Sequence, residues 1–116
     1  MAQVLPLIKR VQPWKPADAT EEIRRLARSE DMTLTFTDHS RDQMSERDLL
    51  MGDVLYVLKN GFVYQDYKPS TRENFYKYRI ECTTPNSSTR EVGVVLCSDS
   101  KKCEIKIITV MWLDEM

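Results

Sequence analysis

A chain of 116 residues is the size of one ordinary domain, with room for a single hydrophobic core. Its 41% hydrophobic and 30% charged residues, with 3 Gly and 5 Pro, exclude a collagen-like, low-complexity or disordered chain. A net charge of -1, from 17 Lys and Arg against 18 Asp and Glu, gives no global attraction for nucleic acid, so any phosphate-binding role requires cations segregated onto one surface.

No apolar run approaches the roughly 20 residues that cross a bilayer, and Met1 to Trp14 lacks the apolar centre of a secretion signal, so a cytoplasmic protein is expected. The three cysteines, Cys82, Cys97 and Cys103, lack CxxC spacing and fall in strand-like segments, which reads as free thiols packed as small apolar groups. A Cys97–Cys103 link across a hairpin is the alternative, and a reducing compartment disfavours it.

Residues 1–16 carry Pro6, Pro13 and Pro16 among apolar anchors such as Val4, Ile8 and Trp14, so an extended N-terminal arm on the body is expected, with a partner-binding tail as the alternative. Residues 17–116 read as a single α+β domain. Asp18 with Glu21 three residues later predicts a helix start, and the helix should run to about Ser29. Its apolar positions Ile23, Leu26 and Ala27 form a narrow stripe, suited to a peripheral helix. Arg24, Arg25 and Arg28 are either a solvated face or a phosphate-contacting one.

Thr33 to Thr37 alternates with the period of a short strand. Asp38 is a strong N-cap, and a short helix should begin near His39 and run to about Glu46, with Met44 inward. A further helix covers about Met51 to Lys59, where Leu50, Val54, Leu55 and Leu58 share a face and Asn60-Gly61 supplies a left-handed stop. From Gly61 onward the period is two. Strands are predicted at about Phe62 to Tyr67, Phe75 to Thr83, Arg90 to Ser98 and Cys103 to Leu113, joined by turn-like KPSTRE, PNSS and DSKK. Connections this short make antiparallel hairpins. The predicted architecture is α+β: an N-terminal helix, a short strand, two helices, then a four-stranded antiparallel meander with helices on one face.

Alternation sorts the meander into two faces. One carries Tyr76, Tyr78, Ile80, Cys82, Val92, Val94, Leu96, Ile105, Ile107, Thr109 and Met111, an apolar set suited to lie under the helices. The other carries Lys77, Arg79, Glu81, Gly93, Val95, Cys97, Glu104 and Lys106, and stays in water. Both hold only if the turn at Pro85 to Ser88 has an odd length, setting Arg79 beside Val95 and Glu81 beside Gly93, because an even one buries an unpaired guanidinium. Gly93 should then leave a depression beside Glu81.

A cation next to a carboxylate on an open sheet is what RNA cleavage without a metal requires: a base for the 2′-hydroxyl proton and a positive group for the charged phosphorane oxygens. Glu81 or His39 could be the base, with Arg79 and Lys77 or Lys106 as the cations. The plainer reading is a solvated face of cross-strand ion pairs. A lone histidine at a helix start is more often structural, and no second histidine or carboxylate sits at metal-ligand spacing, so no metal or other cofactor is expected. Asp38, Asp42, Glu46, Arg41 and Arg47 read as pairs at helical spacing.

The stretch TDHSRDQMSERDLLMGDVLYVLKNGFVYQDY resembles the small bacterial family known as domain of unknown function 4258, whose members look like FTxHAxxRMxxRxIxxxDVxxVLxNGxVxxDY followed by YRV, VVV and ITV strands. Phe36, Thr37, His39, Met44, Arg47, Leu49, Asp53, Val54, Val57, Leu58, Gly61, Val63, Asp66 and Tyr67 match, then Tyr78-Arg79-Ile80, Val94-Val95 and Ile108-Thr109-Val110. The pattern's Arg before Met is Gln43 here, its Gly after the second Arg is Asp48, and its hairpin Gly-Arg reads Thr89-Arg90. Such domains look similar to RelE and BrnT toxins, an analogy of fold. The resemblance implies a toxin-like, metal-independent endoribonuclease with RNA as substrate and an antitoxin protein as partner. In it His39, Arg79 and Glu81 are catalytic, and Arg41, Arg47, Lys77, Arg90 and Lys106 hold RNA phosphates. A non-catalytic protein-binding module and an RNA- or DNA-binding regulator on the same sheet face are the alternatives.

Overall fold

A computed structural model of the chain describes residues 10–115. The elements run α1 (Pro16–Ala27), β1 (Thr33–Phe36), α2 (Asp38–Glu46), α3 (Met51–Asn60), β2 (Phe62–Val63), β3 (Lys68–Pro69), β4 (Tyr76–Thr83), β5 (Glu91–Asp99) and β6 (Glu104–Trp112), closing on a 3-10 turn at Leu113–Glu115. The class is α+β, with three helices and one mixed six-stranded sheet among the described residues. Strand order is β1-β6-β5-β4-β2, with β3 also on β4.

Two features of the sheet depart from the predicted meander. The segment Phe62 to Tyr67 is paired only at Phe62 and Val63, and a second short strand, Lys68–Pro69, joins β4 separately. Strand β1 lies parallel to β6, with Leu34 opposite Ile105 and Phe36 opposite Ile107. Alternation cannot state a partner for an isolated strand, and this pairing spans most of the chain.

The β4–β5 hairpin has the predicted odd register, with Arg79 opposite Val95 and Glu81 opposite Gly93. In β6 the alternation breaks. A bulge at Ile108 makes Val95 pair Thr109 while Leu96 pairs Ile107, and an extra residue flips every later side chain to the other face. Val110 therefore enters the core fully buried, and Thr109 and Met111, expected on the covered face, move to the open one.

The core lies between the sheet and helices α1 and α3 and is built from Ile23, Leu26, Val54, Leu58, Tyr78, Ile80, Val94, Leu96, Ile105 and Ile107 with their neighbours. Helix α1 is central rather than peripheral: Ala19, Ile23, Leu26 and Ala27 are all buried. Its start is also shifted, with Pro16 in the first turn and Lys15 as a cap whose side chain makes no hydrogen bond. The ring's fixed φ suits that position. Asp18 and Glu21 instead face Arg10, at 3.8 and 3.1 Å.

The arginines of α1 hold the helices together. Arg24 Nε donates to Gly61 O and its Nη2 to Asn60 O, both at 2.9 Å, while Arg28 Nη2 donates to Lys59 O at 2.7 Å. Cations thus satisfy the open carbonyls at the C-terminus of α3. Gly61 does not take the left-handed conformation predicted for it, its φ being -77°. A Cβ there would stand 2.6 Å from Val57 O and 2.9 Å from Ile80 Cγ1, so the glycine serves close packing of α3 on β4.

Helix α2 lies beside β6 where β1 ends. Thr37, not Asp38, is its cap, its Oγ1 accepting from Ser40 N at 3.1 Å and donating to Ile108 O at 3.2 Å. Gln43 Oε1 accepts the edge N–H of Val110 at 2.9 Å. Of the N-terminal arm, residues 1–9 lie outside the described residues, whereas 10–15 are anchored. Trp14 is buried and stacked on Tyr78 with ring centroids 5.2 Å apart. The Tyr78 hydroxyl accepts from Trp14 N at 3.0 Å and donates to Gln12 Oε1 at 3.1 Å. No helix among the described residues is long and apolar enough to cross a membrane.

Candidate functional site

The face of the sheet away from α1 and α3 is organised in rows that cross the strands. One row runs Lys77, Cys97, Lys106 and Thr35 over β4, β5, β6 and β1. The next holds Arg79, Val95 and Thr109, and the third Phe62, Glu81, Gly93 and Met111. Successive rows are separated by two residues, about 7 Å.

A cavity of about 280 Å³ opens over the lysine row. Lys77 and Lys106 stand on either side of Cys97, two strands apart and so about 10 Å between backbones. Ser70, Thr71 and Thr37 bring hydroxyl groups to its wall, and Arg72 and Phe75 close one side. The segment between β3 and β4 folds back on itself, with Ser70 N donating to Phe75 O at 3.0 Å and Phe75 N to Arg72 O at 3.2 Å. This turn lays the Arg72 guanidinium 4.2 Å over the Phe75 ring. Neither the Lys77 nor the Lys106 side chain takes part in an ion pair or hydrogen bond among the described residues.

Cys97 forms the floor. It is buried and free, and burial pushes its thiol up, against the opposing pull of a Ser70 hydrogen bond and of Lys77 and Lys106. Cys82 and Cys103 are also unlinked. Among the described residues no three His, Cys, Asp or Glu side chains group as a metal site would need.

The predicted site residues separate into three places. Lys77, Arg79, Glu81 and Lys106 share the open face. Arg79 Nε donates to Glu81 Oε2 at 2.9 Å, and both side chains are largely shielded from water, at 17% and 11% exposure. His39, Arg41 and Arg47 lie on α2 or at its end. His39 and Arg41 are exposed, and Arg47 Nε donates to Glu115 at 3.0 Å. Arg90 lies at the opposite end of the sheet, seven residues before Cys97 along the chain, or about 23 Å of strand. Its guanidinium makes two hydrogen bonds to Asp114, at 2.8 and 2.7 Å, and covers Trp112 at 4.0 Å.

The expected depression at Gly93 is closed. A Cβ built there would meet Leu113 Cδ2 at 2.7 Å, because the 3-10 turn brings Leu113 back over β5. Sequence reasoning passed over Arg72, Phe75 and the hydroxyl groups, since KPSTRE carries the composition of any turn and gives no sign that it folds over a lysine row. Glu104 lies on the open face, as alternation predicts.

The elements that build this face and its cover extend from the end of β1 to the end of β6. The sequence pattern of the family described as Domain of unknown function (DUF4258) matches residues 36–112. The chain belongs to this family. No curated protein and no solved structure matches the chain. In this DUF4258 member several positions of the family-like stretch are architectural. Thr37 caps α2, and Gly61 lets α3 approach β4. Asp53 is buried, with Oδ2 accepting from Leu50 N at 2.9 Å and Oδ1 from Thr84 Oγ1 at 2.7 Å.

Proposed function

We propose that this DUF4258 protein is a toxin-like, metal-independent ribonuclease of a bacterial toxin-antitoxin pair, acting in the cytoplasm, with RNA on the open face of its sheet. The observation that carries this reading is the pair of lysines flanking a cavity, their side chains unpaired among the described residues, one row from Arg79 and two from Glu81. Lys77 and Lys106 hold a phosphate, supported by the hydroxyl groups of Ser70 and Thr71. Glu81 takes the proton from the 2′-hydroxyl, whose oxygen attacks the adjacent phosphorus, and the 5′-oxygen leaves with a proton from water. Arg79 stabilises the extra charge on the phosphorane oxygens as it forms. RelE- and BrnT-like relationship is part of this proposal, resting on the resemblance in fold plan.

The antitoxin partner is assigned to the sheet edge at β2. Phe62 and Tyr64 are exposed there, with rings 6.1 Å apart, and exposed aromatic pairs are the side chains that anchor protein interfaces. A second reading is an RNA- or DNA-binding regulator that does not cleave, favoured by the mutual pairing of Arg79 and Glu81.

Incubating the purified chain with RNA, with and without ribosomes, decides between them. Arg79→Ala should lower cleavage by about 10²–10³, the loss seen when one charge-stabilising donor is removed, with folding unchanged by circular dichroism. Intact RNA in both conditions, together with normal growth on induction, overturns the nuclease reading.

A further inference from the structure

The cavity is chemically two-ended. Two residues beyond the lysine row stand Phe75, just before β4, Asp99 on β5 and Glu104 on β6, and all three line the cavity. The spacing sets the backbones of the two rows about 7 Å apart. Asp99 is committed to its turn, with Oδ1 accepting from Lys101 N at 3.1 Å and Lys102 N at 3.3 Å. Glu104 is half-buried, and its side chain makes no ion pair or hydrogen bond among the described residues. Phe75 belongs to this carboxylate end, on the β4 side of Asp99, with the Arg72 guanidinium over its ring.

A ligand that satisfies such a cavity is anionic at one end and, at the other, carries a planar group whose edge donates hydrogen bonds. One nucleotide unit has that layout, and about 280 Å³ is room for one and not for two. Rings and guanidinium planes stack bases regardless of identity, so selectivity falls to Glu104. An ionised carboxylate only accepts. Guanine offers two adjacent donors on its pairing edge, N1–H and N2–H, which a carboxylate takes together. Adenine and cytosine each place one amino group beside an acceptor nitrogen, and uracil flanks a single N–H with carbonyls.

We propose that this cavity is a guanine-nucleotide subsite, with the phosphate between Lys77 and Lys106, the base on the Phe75–Arg72 platform and its pairing edge on the Glu104 carboxylate. This rests on the reading of the open face as an RNA surface and adds the base that it selects.

The test is titration of the full chain with GMP, AMP, CMP and UMP, followed by heteronuclear NMR shifts, alongside binding of a mixed-sequence RNA 12-mer. GMP should bind about tenfold more tightly than UMP, the discrimination that a bidentate contact to a base provides. Lys106→Ala should weaken all four alike, whereas Glu104→Gln should remove the preference for GMP and leave UMP binding in place. Equal binding of the four, or a GMP preference that survives both Glu104→Gln and Glu104→Ala, overturns the guanine assignment. If the 12-mer binds and the four nucleotides bind alike, only this inference falls. If GMP is preferred and the 12-mer does not bind, the RNA reading falls and the subsite stands. If neither binds, both fall.

Discussion

Tyr78 shows how much a single residue can hold. Alternation along β4 placed its ring in the core, where it is 1% exposed. Its hydroxyl joins the backbone of Trp14 and the side chain of Gln12, 64 and 66 residues away. A period-two pattern reports which face a side chain takes and nothing about so distant a partner, so this anchor was not legible. Tyr78→Phe keeps the ring and leaves the Trp14 N–H without its acceptor, which should cost about 1–2 kcal/mol and lower the thermal midpoint by roughly 4–8 °C per kcal/mol. Burial also pushes the Tyr78 phenol up to about 12 from 10. The folded state therefore keeps its proton longer than the unfolded one. The resulting stability is present below pH 10 and is lost as pH rises from 10 through 12. Denaturation of the parent and Tyr78→Phe across that window should show the parent losing more, and parallel curves would refute the linkage.

At the scale of elements, the helices and the long hairpin were legible because each repeats its signal over eight or more residues. The exceptions are places where one residue counts. The bulge at Ile108 changes the facing of four residues and leaves no mark in a run of ITVMW. Asp18 and Glu21 have the spacing of a helix start, yet Pro16 begins α1 and the acids serve Arg10. Gly61 was recognised as a stop for the wrong reason: both a left-handed turn and a close approach call for glycine, and only the structure distinguishes them. The distinction has a consequence for Gly61→Ala. With φ at -77° alanine meets no backbone penalty. Its methyl group would instead press on Val57 O and Ile80, forcing α3 away from β4. Urea denaturation should show a loss of about 1–3 kcal/mol, as for other overpacked sites, and a stabilised variant would contradict the packing account.

For the whole molecule, a net charge of -1 hides how the cations are distributed. Arg10 is tied to the acids of α1, Arg24 and Arg28 cap α3, Arg47 reaches Glu115, and Arg90 is held by Asp114 and Trp112. Of the cations the sequence suggested for phosphate contact, Lys77 and Lys106 alone sit at the cavity. The sequence could place them on one face, but ion pairing depends on where loops and termini return, which alternation does not encode. If RNA lies where this distribution leaves room for it, its affinity must depend on salt through these two lysines. Each phosphate neutralised on a single strand contributes roughly -0.7 to the slope of log K against log salt. Because the two lysines share one phosphate, replacing both by alanine should make that slope shallower by about 0.7, whereas Arg90→Ala should leave it unchanged, because that guanidinium is already neutralised about 23 Å away along the strand. The reverse pattern, a slope that responds to Arg90→Ala and ignores the lysines, would move the RNA to the Trp112 end of the sheet and detach it from the cavity.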